Sequence, residues 1–140
     1  MTRINLVPVE ELSDQHLIRE YNELPRCIKQ NINTSDAPTG YTLGKGHMKW
    51  AKKHTYFLLK RYRELCNEME FRGFVVNYPY ICLLTLVDAN EEKNNFNDYM
   101  PYMSDIYLSR NRIKEKYLLK PTWYRWTKRN KPYYLENDND

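Results

Sequence analysis

Residues 14–28 read DQHLIREYNELPRCI, and the spacing of the apolar positions in this stretch decides the fold. Leu17, Tyr21, Leu24 and Ile28 recur at i, i+4, i+7 and i+11, one apolar stripe of a helix facing a core. Arg19, Asn22, Glu23 and Arg26 fall on the opposite face. Ser13 or Asp14 is suited to cap the helix at its start. Pro25 lies inside the pattern and predicts a kink or a stop, and the return of the stripe at Ile28 favours the kink. An acid flanked by two arginines on an exposed helix face suits binding and chemistry on a phosphodiester.

Working outward, residues 2–12 read as an extended arm that Pro8 and the apolar Ile4, Leu6, Val7 and Val9 pin to the body. On the other side, residues 31–40 form a loop by composition, with Asn33, Ser35, Asp36, Pro38 and Gly40. A second helix follows on Ala51, Thr55, Leu58, Tyr62, Leu65 and Met69, with Gly73 and Phe74 matching a Schellman-type stop. Its far face carries Lys49, Lys53, Lys60 and Arg63, read as a solvated face. Residues 74–87 have strand propensity through Val75, Val76, Tyr78, Tyr80 and Ile81, enough for one short strand. Residues 91–97 are polar and expected to be exposed. A third helix is predicted from about Ser104 to Leu119, capped by Ser104 or Asp105 and stopped by Pro121. Ile106, Ile113 and Tyr117 mark its inner stripe, and Arg112 and Lys116 stand at i, i+4 on one flank, where two cations can straddle neighbouring phosphates.

Composition narrows the class. A chain of 140 residues suffices for one domain with a small core. It contains no apolar run long enough for a membrane span and no leader pattern at the amino end, so a cytoplasmic location, or a nuclear one in a host that has a nucleus, is expected. Cys27, Cys66 and Cys82 are widely spaced and lack a Cys-x-x-Cys pair, which argues against zinc and against a disulfide framework. His16 and His47 are not spaced as a metal pair; His16 is either a structural histidine or a hydrogen-bonding group at the active face. The net charge of +4 alone does not argue for nucleic acid. Distribution says more: Lys120, Arg125, Lys128, Arg129 and Lys131 are interleaved with Trp123, Tyr124, Trp126, Tyr133 and Tyr134, with no acid among them. Rings turned inward and cations turned outward would serve packing and phosphate contact together.

The start of the chain carries candidate chemistry. The small Thr2 permits removal of Met1, which leaves an α-amine whose reference pKa is about 7.7 to 8.0, against about 10.4 for lysine. Only the neutral amine attacks carbon, and Arg3 beside it disfavours the ammonium further. Such an amine forms a Schiff base with a sugar aldehyde where a carboxylate stands near to move protons. Glu23 is the candidate carboxylate. Taken alone it reads as a surface acid pairing with Arg19 or Arg26, which does not exclude catalysis.

Met1-Thr2-Arg3-Ile4-Asn5-Leu6, Asp14-Gln15-His16-Leu17, Glu20-Tyr21 and Glu23-Leu24-Pro25-Arg26 together resemble the pyrimidine dimer DNA glycosylases. Leu43-Gly44-Lys45-Gly46-His47, Arg72-Gly73-Phe74 and Pro121-Thr122-Trp123-Tyr124 continue the likeness in the same order. Taken by itself, the glycine pair reads as a tight turn into the second helix or, less simply, as a phosphate cradle. The resemblance implies an all-α fold: a single compact domain, residues 1–140, of about three helices with an extended amino-terminal arm and irregular loops, residues 74–87 forming a buried loop. It implies a cofactor-free, metal-free monomer that acts on damaged double-stranded DNA without an obligate protein partner and without a membrane. Thr2 and Glu23 would be catalytic, and Arg3, His16, Asn22, Arg26, Arg112, Lys116 and Arg125 would contact DNA.

Two departures from the family pattern stand out. The loop of residues 31–40 is shorter and less basic than is usual in the family, a departure that bears on nonspecific DNA scanning. Asn22 stands where the resembling enzymes carry an arginine that contributes to damage recognition, and an amide does not replace a guanidinium. The resemblance therefore carries lyase chemistry further than dimer specificity, and leaves two alternatives: action on abasic sites or another lesion, and noncatalytic duplex binding. Mass spectrometry of the purified terminus is the preliminary test: the proposed nucleophile requires Thr2 first, and retained Met1 would block it.

Overall fold

The computed structural model describes residues 3–136; residues 1–2 and 137–140, and with them the expectation for the Thr2 amine, lie outside that range. The described residues are helical and contain no strand, only an isolated bridge between His54 and Phe96. Five α-helices follow in order: α1 (Asp14–Lys29), α2 (His47–Lys53), α3 (Thr55–Phe71), α4 (Tyr80–Ala89) and α5 (Met103–Leu119). The all-α expectation holds, but the count rises from three to five.

Helix α1 begins as predicted, with the Ser13 side chain accepting from the His16 backbone N–H, and it runs through Pro25 to Lys29. Leu17, Tyr21, Leu24 and Ile28 are all buried, and α1 packs most extensively on α3. The second predicted helix is two. Its chain breaks at His54, where φ is −121° and ψ 54°, and the N–H groups of Thr55 and Phe57 leave the ladder to bond Asn95 O at 2.9 Å and Asn97 O at 3.4 Å. The polar segment after α4 thus supplies acceptors for the orphan donors of a new helix start. At the far end the Schellman stop is present: Phe74 N donates to Met69 O, Gly73 N to Glu70 O, and Gly73 takes φ +87°.

Residues 80–89 are the clearest correction. Neither a short strand nor a buried loop forms there; Pro79 leads directly into α4, of which Leu83 and Val87 are buried and Ile81 stays well exposed. Of the residues that suggested a strand, Val75, Val76 and Tyr78 lie ahead of the helix, and α4 packs against α3 with Leu83 and Val87 as its buried positions. Helix α5 starts at Met103, one residue before the expected position, and Asp105 Oδ2 accepts the Tyr102 N–H at 3.0 Å. Ile113 and Tyr117 are buried as foreseen. Cys27 and Cys66 are buried thiols, held above the ordinary range by burial, with Cys27 at about 12 and Cys66 at about 11; Cys82 is exposed.

The extended arm is buried without a strand beside it, so its peptide groups need partners from side chains. Ile4 N–H donates to His47 Nε2 at 2.9 Å, and the Tyr41 hydroxyl donates to Ile4 O. Asn5 donates to Glu20 Oε1 through both its backbone and its side chain, at 3.2 and 2.9 Å. Leu6 N–H donates to Ser109 Oγ at 3.0 Å, and Arg61 donates to Val7 O. Glu20, only 2% exposed, is closed on its other side by Arg61 Nε at 2.6 Å. A second buried cluster joins the chain ends: Arg72 pairs with Asp14 at 2.9 Å and Glu68 at 2.8 Å, Arg129 reaches Glu68, and Thr127 bonds Asp14.

Removing one partner of a buried ion pair strands the other charge. Arg61→Leu is accordingly expected to lower unfolding free energy by about 3–5 kcal/mol, read from urea denaturation.

Candidate active site

The arm, α1, α5 and the carboxyl-terminal segment meet around a cleft of about 190 Å³, lined by Arg3 and Asn5, by His16, Arg19, Glu20 and Glu23, by Arg112, Ile113 and Lys116, and by Tyr124. Helical geometry explains the contribution of α1: His16, Arg19, Glu20 and Glu23 stand at i, i+3, i+4 and i+7, one stripe turned toward the arm. Arg112 and Lys116 share a face of α5 one turn apart and close the opposite wall.

Glu23 is more sheltered than its place opposite the apolar stripe suggested. Its side chain is 13% exposed, whereas that of Arg19, which donates from Nε to Glu23 Oε1 at 3.2 Å, is 64% exposed. The acid therefore presents its carboxylate to the cleft behind a largely exposed cationic side chain.

The rest of the wall is cationic. Arg3 is half-buried and its guanidinium is held below the ordinary arginine range, first by burial and then by Arg112, with Arg19 adding to the effect. Among the described residues, Arg3 Nε and Arg112 Nε are buried nitrogens without a hydrogen-bond partner. Crowded like charges with unspent donors favour an anion arriving between them. Opposite, His16 stacks on Tyr124 with centroids 4.9 Å apart and planes 9° from parallel, and its Nδ1 lies 3.0 Å from Ser13 Oγ. Burial, then Arg19 and Arg3, lower the His16 pKa to about 4. His16 is thus a neutral flat wall at physiological pH.

Five of the nine sequence-predicted site residues, Arg3, His16, Glu23, Arg112 and Lys116, line this cleft. Asn22 and Arg26 do not; both are exposed in a shallower depression on the neighbouring side of α1, which Gln15, Ile18, Arg19, Glu23 and Trp123 complete. Arg19 and Glu23 belong to both hollows. Trp123 and Tyr133 are exceptions to rings turned inward, being 54% and 84% exposed, while Trp126 donates to Glu11 O and packs near Tyr117. Arg125 lines neither hollow: its side chain is exposed, and its backbone joins α1 by accepting from Asp14 N–H and donating to Gln15 Oε1. Thr2 lies outside the described residues. Lys49 and Lys60 form exposed pairs with Asp36 and Asp98, in keeping with a solvated face.

Glu20, Asn5 and Tyr124 also line the cleft without having been foreseen as site residues. Glu20 was open to discovery, because it falls at i+3 from Leu17, inside the apolar stripe, where a carboxylate requires a buried partner.

With this geometry in view, the comparison of the chain with known families is specific: a family model described as pyrimidine dimer DNA glycosylase matches residues 1–81, more than half of the chain. The chain belongs to the pyrimidine dimer DNA glycosylase family. The match spans the arm, α1, α2, α3 and the turn into α4, and so includes Arg3, His16 and Glu23. Family membership makes this a DNA repair glycosylase whose substrate is damaged DNA. None of the helices of the described residues is long and apolar enough to cross a membrane.

Burial lowers all three histidines, His16, His47 and His54, below their ordinary 6.5. The unfolded chain then binds protons first on acidification, so their contribution leaves stability intact above about pH 6.5 and erodes it progressively as pH falls toward 4. Thermal unfolding followed across that window is expected to show the loss, and His16→Asn to remove the part that extends furthest into acid.

Proposed function

We propose that this glycosylase acts on UV-induced cyclobutane pyrimidine dimers in duplex DNA and couples base release to strand cleavage. The neutral α-amine of Thr2 attacks C1′ of the 5′ nucleotide of the dimer, the glycosidic bond breaks, and the base leaves with its electron pair. Loss of the amine proton and ring opening give an imine between enzyme and sugar. Abstraction of a C2′ proton then expels the 3′ phosphate by β-elimination, and water releases the enzyme.

The observation that carries this reading is the convergence of Arg3 and Glu23 on one cleft in a chain of this family. Thr2 is bonded to Arg3, whose side chain lines the same cleft as the Glu23 carboxylate. Glu23 would steady the developing cation and assist proton abstraction. Arg3, Arg112 and Lys116 would hold phosphates around the reacting sugar, with Arg26 and Arg125 further out along the backbone. Flipping the nucleotide out of the stack costs least where damage has already weakened pairing, which favours a lesion over intact duplex. The enzyme would work as a monomer without a cofactor.

Asn22 favours a second reading for specificity. It sits beside Arg26 and Trp123 in the outer depression and offers an amide where a cation would attract a phosphate. The same chemistry would then be spent on abasic sites or on another damaged base.

Borohydride trapping distinguishes the readings. A covalent adduct on dimer-containing duplex is expected; an adduct on abasic duplex alone would favour the second reading, and none on either would leave a noncatalytic binder. Glu23→Gln, or acetylation of the terminal amine, is expected to reduce nicking by about a hundredfold or more.

A further inference from the structure

Ile4 is held at both of its peptide groups by side chains distant in sequence. His47 Nδ1 lies 2.8 Å from Thr42 O, a carbonyl that can only accept, so the proton sits on Nδ1 and the lone pair of Nε2 is left to receive Ile4 N–H. The Tyr41 hydroxyl donates to Ile4 O and accepts from Ser109 Oγ at 3.1 Å, while Ser109 Oγ accepts from Leu6 N–H. Tyr41 and His47 also meet edge to face with centroids 5.6 Å apart, and Tyr41 N–H is fixed on the Tyr99 hydroxyl. This clamp gives the Leu43-Gly44-Lys45-Gly46-His47 stretch an occupation. Gly46 adopts φ +93°, and a Cβ there would meet Pro38 Cγ at 3.2 Å, so the turn delivers His47 to the arm at a close approach only glycine tolerates.

We propose that His47 and Tyr41 are positioning residues for the amino-terminal nucleophile: by fixing the two peptide groups of Ile4 they set where the chain two residues upstream presents its amine to the cleft. The proposal rests on the reading of the Thr2 amine as nucleophile. Neither side chain lines the cleft, so both act through the backbone of the arm. A displacement of the reacting atom by an ångström or less is enough to depress an aligned attack while leaving phosphate contacts in place.

The test separates attack from binding. Single-turnover borohydride trapping on abasic duplex measures imine formation, and affinity for a duplex carrying a tetrahydrofuran abasic analogue, which has no aldehyde, measures binding. Tyr41→Phe, which removes one oxygen, and His47→Ala are each expected to slow trapping on the order of tenfold, with affinity for the analogue changed less than about twofold. His47→Gln, whose amide oxygen can reach the place of Nε2, is expected to recover most of the rate. Should His47→Ala fail to fold, Tyr41→Phe and His47→Gln decide the matter. Wild-type trapping rates in Tyr41→Phe and His47→Ala, or losses of rate and affinity in equal measure, would overturn the positioning role and leave the nucleophile reading standing. Absence of any adduct with the wild-type enzyme would overturn both.

Discussion

A carboxylate taken out of water is tolerated only where its lone pairs are answered, and the burial of Glu20 imposes that condition on this molecule. Two donors of Asn5 and the guanidinium of Arg61 answer it, and Arg61 spends its remaining reach on Val7 O. One pair from two helices thus fastens an arm whose one regular element among the described residues is a single 3-10 turn at Val9–Glu11. Replacing such a pair by apolar groups is often neutral for stability elsewhere, but here an apolar pair would leave Asn5 N–H and Val7 O without partners. The pair is better understood as the device that lets an irregular segment be buried at all.

The same logic recurs along the arm. A strand would have met its neighbours through a regular ladder, with register set by pleat alone. This arm is met instead by His47, Tyr41, Glu20, Ser109, Arg61 and Arg72, drawn from α1, α2, α3 and the residue that caps its end, α5 and the loop before α2. Each contact is specific to one atom, so the path of the arm is over-determined by the assembled helices rather than by its own propensity. The second cluster, on Arg72, does for the carboxyl-terminal segment what Arg61 does for the arm. By holding Thr127 to Asp14 and Arg129 to Glu68, it brings Tyr124 onto His16 and completes the cleft wall.

How far the sequence disclosed this follows from what kind of information each feature needs. The stripe Leu17, Tyr21, Leu24, Ile28 is local and periodic, and α1 appears where that period predicts it. Gly73 is similarly local, because a helix stop needs only one residue able to take positive φ. The break at His54 is not local. Ala51, Thr55 and Leu58 keep helical spacing across it, and the interruption comes from acceptors on Asn95 and Asn97, some forty residues away. Residues 74–87 misled for a related reason: Val75, Val76, Tyr78, Tyr80 and Ile81 favour a strand by type, but a strand without a partner cannot satisfy its backbone, whereas a helix satisfies its own. The cations Arg112 and Lys116 were legible as a pair on one flank, but not as the wall facing Arg3, since nothing in their spacing says what lies across from α5. Glu20, Arg61, Glu68 and Arg72 sat in plain view inside apolar stripes; the pattern demanded partners for them without naming which.

The proposed chemistry makes two electrostatic demands of the cleft that pull in different directions. Phosphate binding calls for a dense positive field, and Arg3, Arg19, Arg112 and Lys116 supply it. Proton abstraction by a carboxylate calls for a base that is not silenced by that field, and a fully desolvated pair with a fixed arginine would silence it. The arrangement at Glu23 would resolve the conflict by placing the buried carboxylate of Glu20 under its permanent guanidinium and leaving Glu23 paired, among the described residues, with Arg19, whose side chain is largely in water. A pair with one partner largely in water is worth little, so in the proposed chemistry an incoming phosphate can draw Arg19 away without breaking anything the fold depends on. For the proposed chemistry this division matters more than the count of charges: one acid of α1 serves the fold, and the other, one turn further on, stays available.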